Sequence, residues 1–374
     1  MWYYFLVIYL QELGIAITVI GVLLTIVSFI GMFFSIMGGV LADSIGRKKT
    51  LISLLPLAAL ATLLLASANI ILIYLAMILF SFSVHGVRAA ARVFVSEKLP
   101  KTSLGKGLGI YYTIVSAATA LAPTVGGLIV NSFGYKSLFI IASILAIVPP
   151  LILIKTKETL EYSKPVNIKS YFNELKKKTV LALTSNRLLL FYYLLFCLYL
   201  FATEITVPFI PLYCKKILRF NELEVGFMYT IVSIITTPSH GIGGFLADKV
   251  GYAKTLVLIL ALNITIFPIL PLVNEKYLFT ALWALSCFIF TAHEAPETSL
   301  VVTIASPELR ATATATATML QGLTSSLGPL VGGYIWATLS PKSSFLVTAV
   351  IAAMAVVLFG LPLLRYLLCS KQNK

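Results

Sequence analysis

Charge is what this 374-residue chain has least of: Asp, Glu, Lys and Arg make up 11% of it, against roughly a quarter in soluble globular domains. With 59% hydrophobic residues and a mean hydropathy of +0.98, that shortage excludes a soluble globule. Cysteine is down to four residues, Cys197, Cys214, Cys287 and Cys369, in or beside apolar runs. Their lack of paired spacing argues against disulfides or metal ligation and for apolar packing. No Gly-rich loop with Lys and Ser or Thr occurs, so ATP is not the expected energy source. Met1–Leu10 carries no basic residue, so the n-region of a signal peptide is missing.

What is present is hydrocarbon in long runs. Apolar stretches near 15–41, 50–67, 70–94, 106–131 and 135–155 precede a polar stretch. Six more follow near 188–213, 222–247, 254–272, 276–303, 311–338 and 343–368. At 1.5 Å per residue each is long enough to cross a roughly 30 Å hydrocarbon core as a helix. The net charge of +14 would suit nucleic acid until it is sorted by loop. Arg47, Lys48, Lys49, Lys98, Lys101, Lys106, the central loop and the C-terminus fall on one side. By the positive-inside rule that side is cytoplasmic. The polar stretch, with Lys176-Lys177-Lys178 and Glu158, Glu161 and Glu174, reads as a solvated cytoplasmic linker.

The chain also repeats itself. Gly38–Gly46 reads Gly-Gly-Val-Leu-Ala-Asp-Ser-Ile-Gly, and Gly243–Gly251 reads Gly-Gly-Phe-Leu-Ala-Asp-Lys-Val-Gly, offset by 205 residues. Internal duplication between apolar halves is how secondary transporters are built, with the working site between the repeats. The expected organisation is an N-terminal bundle over 1–155, a linker over 156–187 and a C-terminal bundle over 188–374. Applying the offset to residue 188 starts the first span about 17 residues before Met1. The expectation is therefore about 12 spans, the first of them truncated here. The alternative is an eleven-span protein with its N-terminus outside.

Gly39-Val40-Leu41-Ala42-Asp43-Ser44-Ile45-Gly46-Arg47-Lys48-Lys49 resembles the loop 2–3 signature of the major facilitator superfamily, nearly position for position. The second copy departs from it at Tyr252, where an arginine is expected. The resemblance implies an all-α polytopic membrane protein of two pseudo-symmetric helix bundles. It further implies a conformational gate at Gly39, Asp43, Gly46 and Arg47, echoed by Gly244, Asp248 and Gly251, with Asp43 and Arg47 latching the bundles on the cytoplasmic side. A plain topogenic loop explains Lys48 and Lys49 but not the retained Gly and Asp. A second duplicated element, Pro123, Gly126 and Gly127 against Gly328, Pro329, Gly332 and Gly333, resembles a signature of proton-driven exporters. Proline bends a helix and glycine admits a neighbour, so this element suits a gate or generic close packing.

Ionisable residues inside spans are costly and therefore functional candidates. Ser81, His85, Arg88 and Arg92 form one helical stripe, and Cys287, Thr291, Glu294 and Thr298 another, with His293 and Glu297 beside it. Measured from Pro100 and Pro307, Arg88, Glu294 and Glu297 lie at matching depth, which points to an ion pair between Arg88 and one glutamate. The competing expectation has Arg92 and Glu297 snorkelling to the surface. Glu204 is a cavity carboxylate or an outer-rim residue. The alternating Ala and Thr of Ala311–Thr318 read as a packing face. His293-Glu294-Ala295-Pro296-Glu297 resembles a zinc-protease helix, but Glu297 occupies the second histidine's place and Pro296 interrupts the turn, so no metal is expected.

The function expected is secondary active transport of a small organic solute by alternating access, as proton-coupled efflux. The alternatives are proton-coupled uptake of an organic anion, sugar or other nutrient, with Arg88 and Arg92 as clamps, and a non-transporting receptor or scaffold. No enzymatic activity and no cofactor are expected, the proton gradient being the driving force. The expected partners are the solute and the lipid bilayer, without nucleic acid, for a monomer in the cell membrane.

Overall fold

The computed structural model describes residues 1–98, 104–159, 179–181, 183–184, 186–306 and 309–372. Pro100, Lys101, Pro307 and the greater part of the polar stretch lie outside the described residues, as do the side chains of Arg92, Lys106 and Cys369. All regular structure among the described residues is helical. A short 3-10 turn at Trp2–Phe5 leads into α1 (Leu6–Glu12), then α2 (Ile17–Ile45), α3 (Arg47–Leu65), α4 (Ile70–Lys98) and α5 (Leu104–Ile154). Helix α5 turns at Gly134, where φ is 77°, so the two runs expected there meet at one residue. There follow α6 (Arg187–Thr206), α7 (Ile210–Lys216), α8 (Glu222–Thr236), α9 (Ser239–Val250) and α10 (Tyr252–Ile266). The last are α11 (Lys276–Thr291), α12 (Glu294–Ile304), α13 (Arg310–Ser325), α14 (Gly328–Thr338), α15 (Pro341–Ala355) and α16 (Leu361–Gln372).

Eight stretches among the described residues are long and apolar enough to cross a membrane. Their outward faces stay apolar: Ile114, Leu121, Phe133 and Ile152 on α5 are all more than 60% exposed. Only a hydrocarbon surround tolerates such a surface, because it replaces the water these side chains avoid. Helix starts are sealed locally. Asn186 accepts from Leu188 N at 2.9 Å, and Glu275 accepts from Tyr277 N at 2.9 Å, removing donors that lipid could not satisfy.

Runs expected to be continuous in the second half are broken near their middles. Breaks fall at the 3-10 turn Val207–Phe209, at Thr237–Pro238, at Ala292–His293 and at Ser326–Leu327, and a π turn spans Val356–Gly360. Pro208, Pro238, Pro296, Pro329 and Pro362 stand at or just beyond these points. A proline cannot donate to the carbonyl four residues back and crowds it, so the ladder opens there.

By contacts the chain forms two compact units. One gathers Met1–Ile15, the described residues of Ile26–Tyr171, and Asn221–Phe227. The other gathers Ala16–Thr25, the described residues of Phe172–Phe220, and Met228–Lys374. In the second unit α6 is the core element, with Tyr192, Tyr193, Phe196 and Tyr199 at most 1% exposed. Polar clips complete the packing: Tyr199 donates to Asn263 Oδ1 at 2.8 Å, and Asn263 Nδ2 to Ser286 O at 2.8 Å. In the first unit Ser83 donates to Leu54 O at 2.7 Å and Ser143 to Ala59 O at 2.8 Å, the hydrogen-bond glue available to helices in lipid.

Candidate functional site

The duplicated loop is built on its last glycine. Gly46 has φ +112° and Gly251 has φ +101°, a region that side chains strain to enter. In the first copy Arg47 lies one turn beyond Asp43, and its guanidinium bridges Asp43 Oδ1 at 3.2 Å and Glu97 Oε1 at 3.3 Å. Glu158 closes the other side, accepting from Lys48 N and Lys49 N at 3.2 Å each. Lys48 Nζ donates to Ile154 O at 2.8 Å and Thr156 O at 2.7 Å. The second copy keeps the backbone and loses the cation: Tyr252 occupies the place of Arg47, and Asp248 is exposed with no ion pair among the described residues.

Close packing in this motif falls one residue before the gate glycines Gly39 and Gly244. A methyl on Gly39 would meet nothing within 4 Å, and one on Gly244 only Ala295 Cβ at 3.6 Å. On Gly38 it would overlap Gly86, and on Gly243 the carbonyl of Ala292. One residue along a helix turns the side chain by about 100°, which suffices to move the contact from one glycine to its neighbour.

The second duplicated element makes two matching crossings, each inside one compact unit. In the first unit, side chains on Gly127 and Gly226 would overlap the carbonyls of Glu222 and Pro123. In the second unit Gly21 would overlap Pro329 O, and Gly333 would come within 2.8 Å of Ile17 O. These are the same four positions in each copy, shifted by 205 or 206 residues. Gly126 faces Phe5 and Met1, while Gly332 faces Ile205 O and Gly328 faces Glu204. Only the second copy breaks its helix; Pro123 lies within α5, whereas Pro329 opens α14.

The intramembrane charges separate. On α4, His85 packs against α2 at Gly31, Ser81 donates to Val27 O at 3.0 Å, and Arg88 is exposed. Glu294 meets His240 Nδ1 at 3.4 Å. Glu297 is 18% exposed and lies 3.3 Å from His293 Nε2. Tyr192 OH donates to Glu297 Oε1 at 2.6 Å and Gln321 Nε2 to the same oxygen at 2.9 Å. Both glutamates that depth matching offers to Arg88 thus have partners within their own unit. Glu204, partly buried on α6 against Gly328, has no hydrogen bond or ion pair among the described residues.

Glu297 borders a cavity of about 160 Å³ lined by Tyr192, Thr298, Thr314, Thr318 and Gln321, with Val301 and Ala317. The Ala and Thr alternation of α13, expected to serve packing alone, divides its work. Ala313 and Ala317 are buried, while Thr314 and Thr318, four residues apart, line the cavity.

Compared with known proteins, the pattern described as Major Facilitator Superfamily matches residues 1–295. The chain belongs to this superfamily. Within it, the chain is 25% identical to the multidrug resistance protein MdtG of Enterobacter lignolyticus, over 96% of this chain and 87% of that one. It is 25% identical to the multi-drug resistance efflux pump PmrA of Streptococcus pneumoniae, over 68% of this chain and 64% of that one. A solved bacterial homolog of the human lysosomal transporter Spinster shares the fold, with TM-score 0.76, 16% identity and coverage of 97% and 92%. This superfamily member is a multi-pass membrane transporter, not an enzyme.

In this superfamily member several partners escaped the sequence reading. Glu97, Glu158, Tyr192 and Gln321 lie far along the chain from the groups they bind, and nothing local marks them. Gly21 and Gly226 did carry a signal, because they obey the same 205-residue offset as the motif.

Proposed function

We propose that the protein exports small amphipathic organic solutes in exchange for protons, by alternating access. The observation that carries this reading is the cavity bordered by α6, α12 and α13. Its described lining holds one carboxylate, five further polar side chains and no Lys or Arg. Such a wall favours neutral or cationic solutes over an anion, which its carboxylate repels and no Lys or Arg side chain offsets. The names of MdtG and PmrA favour export of drug-like compounds. Glu204 and Glu297 are the protonatable groups, since carboxylates in spans mark proton pathways. The Asp43, Arg47 and Glu97 cluster serves as the gate, a set of ion pairs that one state makes and another breaks. In this reading the protein works as a monomer in the cell membrane, with the central loop and C-terminus in the cytoplasm.

The test is reconstitution in liposomes under an imposed pH gradient, screening cationic, neutral and anionic amphipathic solutes. Gradient-driven flux of cationic or neutral solutes, abolished by a protonophore and by Glu297→Gln, is expected. Flux of anions alone, or flux indifferent to the gradient, would refute the reading.

A further inference from the structure

We propose that the cavity beside Glu297 selects protonated amines over quaternary ammonium ions of equal charge, because its wall presents hydrogen-bond acceptors whose own hydrogens are already committed. This rests on the exporter reading above, in which the cavity receives the solute, and adds which cations it receives.

Glu297 is held by neutral groups. Tyr192 OH donates to its Oε1 at 2.6 Å and Gln321 Nε2 to the same oxygen at 2.9 Å. His293 Nε2 lies 3.3 Å from Oε2, where a neutral ring with its hydrogen on that nitrogen donates. A carboxylate has about four lone-pair sites, so a place for a further donor stays open, and no Lys or Arg pairs with Glu297 among the described residues. The phenol hydrogen of Tyr192 is committed, and its oxygen is approached by Gln321 Nε2 at 3.2 Å. With the amide nitrogen of Gln321 turned onto this pair, its Oε1 is an acceptor that no donor reaches among the described residues. The threonines follow the same pattern. Thr298 donates to Glu294 O at 2.9 Å, Thr314 to Arg310 O at 3.0 Å and Thr318 to Thr314 O at 3.1 Å. A hydroxyl has one hydrogen and two lone pairs, so each keeps acceptor capacity while its hydrogen rests on its own helix. At most one hydrogen of this polar lining, on Gln321 Nε2, is left over.

Size decides which part of a solute enters. The cavity's 160 Å³ or so falls below the roughly 300–1,000 Å³ of sites that enclose a drug-sized molecule, so it takes a head group and leaves the apolar remainder outside. An ammonium that keeps an N–H satisfies the open oxygens through charge-assisted hydrogen bonds, the stronger kind. A quaternary head brings the same charge but only C–H groups. It shields the oxygens from water without bonding them, which is the unfavourable case for polar atoms. Attraction to the Glu297 charge alone would treat the two heads alike.

Equilibrium binding of a matched series to the full-length protein in nanodiscs tests this, with partition into empty nanodiscs subtracted. The series is 2-phenylethylamine, its N-methyl and N,N-dimethyl derivatives, all protonated at neutral pH, and trimethyl(2-phenylethyl)ammonium. The N,N-dimethyl ion is expected to bind about tenfold or more tightly than the trimethyl ion, the difference one charge-assisted hydrogen bond makes. Equal affinities, a tighter trimethyl ion, or no binding of the series overturns the proposal. Thr314→Val combined with Thr318→Val, in protein that keeps its native melting behaviour, separates bonding from size. Valine nearly matches threonine in shape, so a preference set by size survives the exchange, whereas one set by acceptors shrinks. An unchanged ratio overturns the assignment to this cavity, and Thr298→Val gives the same readout where the double variant does not melt natively. Gradient-driven flux by protein that binds both ions alike leaves the exporter reading standing and overturns this one. The binding preference without gradient-driven flux of any solute does the reverse.

Discussion

A side chain at Gly46 meets two obstacles of different kinds. Its backbone, at φ +112°, is strained for any L residue, and the added methyl would overlap the Glu158 carboxylate. Gly251, at φ +101°, meets only the first, with nothing within 4 Å. The backbone term costs about 1–3 kcal/mol. Gly46→Ala is therefore expected to lower the melting temperature in detergent more than Gly251→Ala does. Equal shifts would mean that Glu158 moves aside freely and that its bonds to Lys48 N and Lys49 N add little. At this scale Asp43 and Arg47 were legible through the motif that contains them, whereas their pairing with each other at 3.2 Å is seen only in the structure. The sequence could not expose Glu97 or Glu158, since their positions beside Arg47 and Gly46 depend on how α3, α4 and the end of α5 pack. That close packing falls on Gly38 and not on Gly39 was hidden for a related reason: two adjacent glycines are equivalent in a string but point about 100° apart on a helix.

At several crossings in this protein a glycine of one helix meets a backbone carbonyl of another. At such a crossing the obstacle to a larger residue is backbone, which cannot swing away as a side chain does. Gly226→Leu would drive its side chain into Pro123 O and is expected to destabilise by about 1–3 kcal/mol, the range for overpacking. Gly241→Ala, which meets nothing within 4 Å, is expected to keep or raise stability. Thermal unfolding of both variants checks this, and a tolerated leucine at Gly226 would show that the crossing yields. Element existence was legible in the apolar runs, and the breaks were foreshadowed by prolines. Which prolines break their helix was not. Pro123 and Pro329 occupy equivalent places, yet only the second follows a hydroxyl pair, with Ser326 Oγ donating to Leu323 O at 2.8 Å. Where Ser326 competes for that carbonyl, the first copy has Ala120, which offers the helix no rival.

For the molecule as a whole, duplication was the most legible property, because an offset survives in the string whatever the helices do. The compact units were less legible. Residues 16–25 and 221–227 each group with a unit formed mostly from the other half of the chain, and only tertiary contacts reveal that. The orientation expected from the basic loops is open to a direct check. In a cysteine-free background, a cysteine at Lys49 is expected to react with impermeant reagent only from inside, and one at Lys276 only from outside. Labelling from the same side would break the two-copy topology. The loss of Arg47's counterpart at Tyr252 gives the two loops unequal sensitivity to electrolyte. Dissolved salt weakens attraction between partly hydrated ions over distances near its screening length. The first loop stands to loosen as ionic strength rises, while the second, where Asp248 has no ion pair among the described residues, has no such pair to lose. The two copies of the loop thus answer dissolved electrolyte unequally, the first through its ion pairs and the second without them.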